Sequence, residues 1–351
     1  MNGREYYAAV LNNERPSKIP IRVANYNMFV CHYYGISIKE YLDDPGKNAN
    51  VVVKFLKEFG VDSIKAGIGY IFYGCGPEMG PRWHFPEAEF PVCVKGIIDE
   101  PGDIDGIRIP VLPTGYFKNF LEINRRVKDL VGKEVFLGVS VLGPFSVMCF
   151  LRGYEQLLMD MVLDLNFFSD LMKKGEEVST YIGRHCLELQ LPWINLMEIF
   201  LIPGVINPAF YHKHIASHDD AVRKYFLPIS LPNSNASFMG YPGGTENLRE
   251  GKLLYDYYFG NVESLDTIKA ASKYALPGYP RLVTISARAL VTWPIDRILA
   301  FLKDGLDYFI RERGEYPAIN LASVQAATPQ EAESIARKLK ALSEFRDAYG
   351  L

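Results

Sequence analysis

One carboxylate in this sequence stands inside an otherwise apolar segment. Glu198 is the single charged residue in WINLMEIFLIPGV (193–205). In an apolar pocket the pKa of a carboxyl group rises, so Glu198 could hold a proton at neutral pH and donate it to a reacting oxygen. The structural alternative is a buried carboxylate paired with Arg22 or Lys65, which both lie in predicted strands. We take Glu198 as the candidate catalytic acid or ligand.

A long loop rich in glycine, proline and aromatic residues is the second candidate site. It covers GYIFYGCGPEMGPRWHFPEAEF (69–90), and loops of this length in compact domains are usually functional or disordered. We expect it to act as a lid whose aromatic rings cover a substrate. The alternative is a surface hairpin with a small aromatic cluster of its own. The candidate substrate-binding residues in this loop are Tyr70, Tyr73, Trp83 and Phe85, and His84 is a second candidate catalytic residue.

Three histidines follow in one predicted helix over 207–226, which should begin with Asn207 as its cap and Pro208 at the first helical position. Thr328 and Pro329 should begin a helix over 328–345 in the same way. His214 and His218 are four residues apart and would share a face, as a metal pair requires, but no third ligand is evident. A solvated helix face is the favoured interpretation of these two. His212 lies nearest the helix start and joins the substrate-binding candidates.

An alternation of strands and helices must position these residues. Short apolar runs alternate with amphipathic stretches, a pattern typical of parallel βα units. No Gly-rich GxGxxG turn follows the first run, which disfavours an open doubly wound sheet. We therefore predict an α/β fold, a (β/α)8 TIM barrel that forms a single domain over residues 1–351. The predicted strands are 19–27, 62–70, 134–142, 193–200, 226–233, 253–260, 281–287 and 316–323.

In such a barrel the residues that follow each strand face the active site. The segment VLGPFS (141–146) is one such exit, where Gly143 and Pro144 turn the chain and Ser146 is expected to cap the next helix. Amides at these exits could position hydroxyl or methoxy oxygens. The substrate-binding candidates from the strand exits are Asn25, Tyr26, Asn27, Phe145, Asn233, Asn235, Ser286 and Arg288.

The amino-acid composition of the chain excludes some classes of binding partner and favours others. The net charge of −3 offers no basic field for nucleic acid or membrane, whereas 22 tyrosines and 21 phenylalanines suit a pocket for a flat or apolar ligand. Five cysteines without a CxxC pair fit a reducing compartment. We find neither an apolar signal segment nor a run long enough to span a bilayer, so we expect a cytoplasmic protein.

Several segments resemble one known family. GVSVLGPFSVMCFLRGYEQLLMDM (138–161) resembles the strand-turn-helix of the uroporphyrinogen decarboxylase superfamily. NNERPSKIPI, GISIKEYLDDP, FPVCVKGIIDEPGDIDGIRIP and NPAFYHKHI resemble it too, and together these segments cover most of the chain in the right order. The resemblance implies a (β/α)8 barrel with one of two chemistries. One branch decarboxylates uroporphyrinogen, and the other transfers methyl groups with corrinoid proteins.

The residues that the resemblance implies for decarboxylation are missing. Asn25 and Phe29 stand near the positions of the family's arginines, and Gly69 stands where an aspartate is expected. Phe150 replaces a tyrosine and Ser323 a histidine. A tetra-anionic porphyrinogen needs cations and a proton donor. We therefore reject uroporphyrinogen decarboxylation.

The family's thiol-activating zinc site also differs here. The resemblance implies His-x-Cys after strand five, where this chain has Pro232 and Ser234, and a cysteine after strand eight, where NLASVQ (320–325) has none. We expect no metal at these positions. What remains is the role of an O-demethylase component. It would move a methyl group from a small, methoxylated, aromatic substrate to the cobalamin of a partner corrinoid protein.

That reaction requires an acid. An aryl or alkyl oxygen is a poor leaving group, so the enzyme must protonate or polarise it as the C–O bond breaks. Two alternatives stay open, a decarboxylase or lyase of a small acid on the same barrel and a non-catalytic binding protein. Relatives occur as monomers and dimers, and the sequence does not exclude a homodimer.

Overall fold

The computed structural model describes residues 2–66, 76–86, 89, 91–202, 204–226, 235–239, 264–273 and 280–351. Its internal contacts group the chain into two compact units. Unit A comprises Met1–Gly69, Ile123–Gly138 and Lys252–Leu351. Unit B comprises Tyr70–Glu122 and Val139–Gly251.

Helices and short strands alternate along the described chain. The helices are α1 (Gly3–Leu11), α2 (Asn27–Tyr34), α3 (Ile38–Asp43), α4 (Pro45–Phe59), α5 (Gly115–Val131), α6 (Pro144–Leu151), α7 (Tyr154–Leu163), α8 (Leu165–Leu187), α9 (Pro208–His214), α10 (Ala216–Phe226), α11 (Leu265–Ser272), α12 (Ala287–Thr292), α13 (Ile295–Asp307) and α14 (Pro329–Ala348). The strands are β1 (Ile21–Val23), β2 (Ser63–Lys65), β3 (Arg82–His84), β4 (Val92–Lys95), β5 (Phe136–Leu142), β6 (Trp193–Met197), β7 (Asn235–Met239), β8 (Arg281–Ile285) and β9 (Pro317–Leu321).

Unit A is built on parallel strands with helices between them. Its strand order is β5-β2-β1-β9-β8, with Val23 opposite both Ile64 and Leu321. The central strands are buried along their whole length, as expected of parallel strands covered on both faces. Helix α4 packs its apolar stripe inward, begins at the Asp44 cap and ends at Gly60, whose positive φ of 62° favours glycine.

Unit B contains strands in the order β7-β6-β5, and β6 and β7 are parallel. Trp193 lies opposite Asn235 and Met197 opposite Met239. Every residue of α6 is buried, and α6 packs closely on α8 because Gly175 lacks a side chain. A Cβ atom at Gly175 would lie 2.5 Å from the carbonyl oxygen of Pro144.

The predicted helix starts are confirmed, but one helix is divided. Asn207 caps α9 with proline at the next position, and Thr328 caps α14 in the same way. The predicted helix over 207–226 is interrupted at Ile215, whose φ of −120° leaves the helical region.

The fifth predicted strand, 226–233, begins at Phe226, which ends α10, and its residues 227–233 lie outside the described residues. The next described strand is β7, which covers Asn235–Met239. Asn235 therefore lies at the start of a strand, opposite Trp193, and the prediction that it follows the strand is wrong. Another predicted strand, 253–260, lies outside the described residues.

The α/β class with parallel strands is confirmed. The described residues contain seven parallel strands, and the closed eight-stranded barrel stays a prediction. Among the described helices, none combines the length and apolar character that crossing a membrane requires.

Candidate active site

Glu198 lies directly after β6 and is only 1% exposed. Its Oε1 accepts a hydrogen bond from the backbone N–H of Phe145 at 2.9 Å. Its Oε2 accepts from the backbone N–H of Ser146 at 2.7 Å and from the Ser146 hydroxyl. The Ser146 oxygen in turn accepts the N–H of Ile199 at 2.8 Å. The carboxylate is therefore held by three donors.

These donors belong to the first turn of α6. The first N–H groups of a helix have no partner within the helix, and the helix dipole favours a negative charge there. Glu198, from another part of the chain, provides both the acceptor oxygens for these N–H groups and the negative charge. The prediction that Ser146 caps this helix is wrong, because Gly143 occupies the cap position and provides no side-chain acceptor.

A second buried carboxyl group lies beside Glu198. Asp219 on α10 is fully buried, and its carboxyl group lies within hydrogen-bonding reach of that of Glu198. The Tyr211 hydroxyl donates to Asp219 Oδ2 at 3.0 Å. Burial raises the pKa of Glu198, and burial together with the Glu198 charge raises the pKa of Asp219 well above its usual range.

A cavity of about 720 Å³ lies between β4, the end of α6, the start of α7 and Phe200. Aromatic rings form much of its wall. The Phe150 ring lies 5.4 Å from Trp83 and 5.4 Å from Phe200, and Tyr154 lies 5.6 Å from Phe200. The volume of the cavity and its partly aromatic lining are typical of pockets that bind small molecules.

Cys149 connects the cavity with the carboxyl pair. It lines the cavity, and burial and the nearby Glu198 charge raise the pKa of its thiol well above the usual range. Glu198 itself lies outside the lining. The raised pKa disfavours the thiolate, which is the nucleophilic form of a cysteine.

Arg152 braces the rim of the cavity. Its guanidinium donates to both oxygens of Asp160 at 2.8 and 3.1 Å and to the carbonyls of Ile98 and Asp99. Gly153, with a φ of 99°, then turns the chain into α7. Arg152 and Gly153 therefore join α6, α7 and the segment before α5.

The model of the family described as uroporphyrinogen decarboxylase (URO-D) matches residues 2–224. The chain belongs to the uroporphyrinogen decarboxylase family. Its fold is also that of a methyltransferase from Methanosarcina mazei, with a TM-score of 0.74, 16% identity and 99% of each chain covered. No protein with a curated description matches the chain.

In this member of the uroporphyrinogen decarboxylase family, the described end of the aromatic loop forms an antiparallel hairpin of β3 and β4. Side chains alternate across a strand. Trp83 lines the cavity, whereas its neighbour His84 is exposed and outside the lining. Phe85 is 42% exposed and stacks on Tyr116 at 5.6 Å. Tyr70 and Tyr73 lie outside the described residues.

The three predicted helical histidines do not come together. His212 is exposed with its ring edge towards Tyr211, and His214 packs on Phe210. His218 contacts Glu176 at 2.9 Å. Within the described ranges, no group of three histidine, cysteine or acidic side chains could hold a metal.

The strand-exit candidates of unit A have internal partners. Tyr26 is buried and stacks on Phe55 at 5.1 Å. Asn27 is buried, donates to Asn25 Oδ1 at 3.0 Å and accepts from the hydroxyl of Tyr41. These contacts give Tyr26 and Asn27 a packing role in unit A.

Three further exit candidates are described. Ser286 is buried and caps α12 through a bond from the N–H of Ala289, and Arg288 is exposed. In unit B, Phe145 is fully buried, and its N–H serves Glu198. None of the three lines the cavity of unit B.

The positions at which the resemblance implies zinc ligands include 232 and 234, which lie between the end of α10 and the start of β7. Asn233, Pro232 and Ser234 lie outside the described residues, and β7 places the carboxyl end of its strand after Met239. The sequence has no histidine after His218 and no cysteine after Cys186. The expectation that these zinc ligands are lost therefore does not depend on where the fifth strand lies.

The hydrogen-bond partners of Glu198 and most residues of the cavity wall were not predicted from the sequence. Asp219 carries a signal that could have been used. Tyr211, Ile215, Asp219 and Val222 recur at helical spacing and are all buried, so Asp219 is a carboxylate on an apolar face. The contact between Asp219 and Glu198, by contrast, is tertiary and has no sequence pattern.

Proposed function

We propose that this protein is a cytoplasmic methyltransferase that moves a methyl group from a small, methoxylated, aromatic compound to the corrinoid of a partner protein. The observation that carries the proposal is the aromatic cavity beside the Glu198–Asp219 pair, in a member of the uroporphyrinogen decarboxylase family. The shared fold with a methyltransferase of Methanosarcina mazei supports it.

The cavity suits a flat, uncharged ligand. Trp83, Phe150 and Phe200 offer ring faces and edges at distances typical of aromatic packing. Three of the four charged residues in the lining pair with protein groups, Lys95 with Asp99 at 2.8 Å and Arg152 as described above; the fourth is Glu155. A neutral methoxylated phenol needs no charged partner from the protein.

The chemistry requires a proton at the ether oxygen. The reduced corrinoid, a second substrate brought by the partner, supplies the nucleophile for the methyl carbon. As the C–O bond breaks, its electron pair stays on oxygen, and that oxygen takes a proton. Glu198 is the group proposed to deliver this proton, because burial raises its pKa and its charge acts on Cys149 in the cavity wall. His84 is a weaker candidate, since its side chain is exposed to solvent.

Two isotope labels distinguish the proposed reaction from its main alternative. The protein is incubated anaerobically with reduced cobalamin and methoxylated phenols that carry ¹³C in the methoxy carbon. Loss of the methoxy signal in the NMR spectrum, with appearance of the free phenol, supports methyl transfer. A second panel carries ¹³C in a carboxyl group. Release of that label as carbon dioxide, with the methoxy signal unchanged, would replace the proposal with the decarboxylase alternative.

The non-catalytic alternative has its own outcome. If neither label moves, ligand binding is measured by the change in tryptophan fluorescence. Saturable binding without turnover, in the presence of reduced cobalamin, would support a binding protein that kept the fold and lost the reaction.

A further inference from the structure

Two buried carboxyl groups in contact pose a problem of charge. The carboxyl groups of Glu198 and Asp219 lie within hydrogen-bonding reach of each other, and both are removed from solvent. A hydrogen bond between two carboxyl groups needs a proton on one of them, and two adjacent buried carboxylates would repel. One proton shared by the pair removes both difficulties.

The donors around each group show where that proton belongs. Glu198 accepts three hydrogen bonds from Phe145 and Ser146, which stabilise its ionised form. Asp219 accepts one bond, from Tyr211 to Oδ2. Its buried Oδ1 has no hydrogen-bond donor among the described residues. A proton on Asp219 Oδ1 turns this acceptor into a donor.

We propose that Asp219 is a protonated carboxylic acid at neutral pH and donates its proton in a hydrogen bond to an ionised Glu198. The helix N-terminus of α6 then holds the negative charge, where the backbone donors and the helix dipole favour it. Asp219 is a positioning residue, because it acts through Glu198.

The surroundings of the pair agree with one negative charge. The titratable groups that face it in the described part of unit B are Cys149 on α6, Tyr211 on α9 and Asp220 on α10. Cys149 and Tyr211 have raised pKa values and stay neutral. Asp220 pairs with Arg223 at 2.7 Å on its own helix.

The catalytic consequence of this arrangement rests on the proposed function. The proton on Asp219 would first pass to the ionised Glu198, which would then give it to the leaving oxygen. Both groups are then ionised until a proton from water restores the pair. The location of the proton at rest is a separate claim, which can be tested without turnover.

Infrared spectroscopy of labelled protein tests that claim. A protonated carboxyl group has a carbonyl band that ionised carboxylates lack, and ¹³C in the side-chain carboxyl shifts it. At neutral pH we expect a band that shifts when aspartate is labelled, disappears in Asp219→Asn and persists in Asp220→Asn. The Asp220 variant is the matched control, since its carboxyl lies next in sequence and is 43% exposed.

Two results would overturn the proposal. One is a band that shifts with labelled glutamate and not with labelled aspartate, which would place the proton on Glu198. The other is a spectrum of labelled wild-type protein without any aspartic acid band at neutral pH. Both readings come from the wild-type protein, so they hold even if Asp219→Asn fails to fold. Neither depends on methyl transfer, so failure here and failure of the proposed function are distinguishable.

Discussion

The carboxyl group of Glu198 occupies the space that a side chain at Gly143 would fill. A Cβ atom at Gly143 would lie 2.2 Å from Glu198 Oε1 and 2.3 Å from its carboxyl carbon, closer than real Cβ contacts allow. The φ of Gly143 is −74°, which any residue can adopt, so space and not backbone conformation requires glycine here. The glycine in the Gly-Pro turn after β5 therefore leaves the space that the Glu198 carboxylate needs to reach the N–H groups at the start of α6.

Substitution of this glycine should disturb the carboxylate. In Gly143→Ala the new methyl group must displace Glu198 from the N–H groups of α6, which we expect to lower the free energy of unfolding by about 1–3 kcal/mol. Urea denaturation measures the change. Gly102→Ala is the control, because nothing lies within 4 Å of the added Cβ there. Equal effects of the two substitutions would contradict the close fit.

The Glu198–Asp219 pair should make stability depend on pH. Asp219 has a raised pKa in the folded state, so its contribution is complete below the unfolded pKa of about 3.9 and is lost as pH rises through the folded value. The slope approaches about 1.4 kcal/mol per pH unit for one proton.

Asp219→Asn removes this titration and keeps the hydrogen-bonding shape. Relative to wild type, its free energy of unfolding should therefore increase as pH rises above the unfolded pKa of about 3.9. Denaturation curves at several pH values measure the difference, and Asp220→Asn should follow the wild type. A constant difference between Asp219→Asn and wild type would exclude a raised pKa at Asp219.

The aromatic wall should contribute to ligand affinity. Trp83→Ala removes one ring next to Phe150, so we expect the Kd of a bound methoxylated phenol to rise about three- to tenfold, or ~0.5–1.5 kcal/mol. Calorimetric titration measures it. Phe85→Ala is the matched control, because Phe85 lies in the same hairpin region but stacks on Tyr116 and does not line the cavity. Unchanged affinity in Trp83→Ala would move the binding site elsewhere.

The brace at the cavity rim should matter for stability. Arg152→Met leaves Asp160 without its partner, and both side chains are nearly buried, at 13% and 11% exposure. Breaking such a pair costs about 3 kcal/mol, measurable by urea denaturation. Lys173→Met breaks an exposed pair with Asp170 and should cost less than about 1 kcal/mol. Similar losses in both variants would argue against the bracing role.

The sequence predicted the features that depend on local pattern. Buried runs marked six of the parallel strands, and proline with a capping side chain marked the starts of α9 and α14. Glu198 was correctly placed at the end of its strand, because a lone carboxylate in an apolar run is a local signal.

Features that depend on tertiary contact were not predicted. The register of β7 is set by its pairing with β6, in which Trp193 lies opposite Asn235. The cap of α6 comes from Glu198, which is distant in sequence, so the nearby Ser146 was the wrong choice. Phe150 and Phe200 form a cavity wall only because α6 and the segment after β6 are brought together.

The most direct test of methyl transfer is the absorbance of the corrinoid itself. The protein is mixed anaerobically with reduced cobalamin and one methoxylated phenol at a time, and the spectrum is followed in a stopped-flow instrument. We predict conversion to the methylated corrinoid with at least one phenol, at a rate that requires the protein. An unchanged spectrum across the panel, with folded protein and with ligand binding demonstrated, would contradict the account.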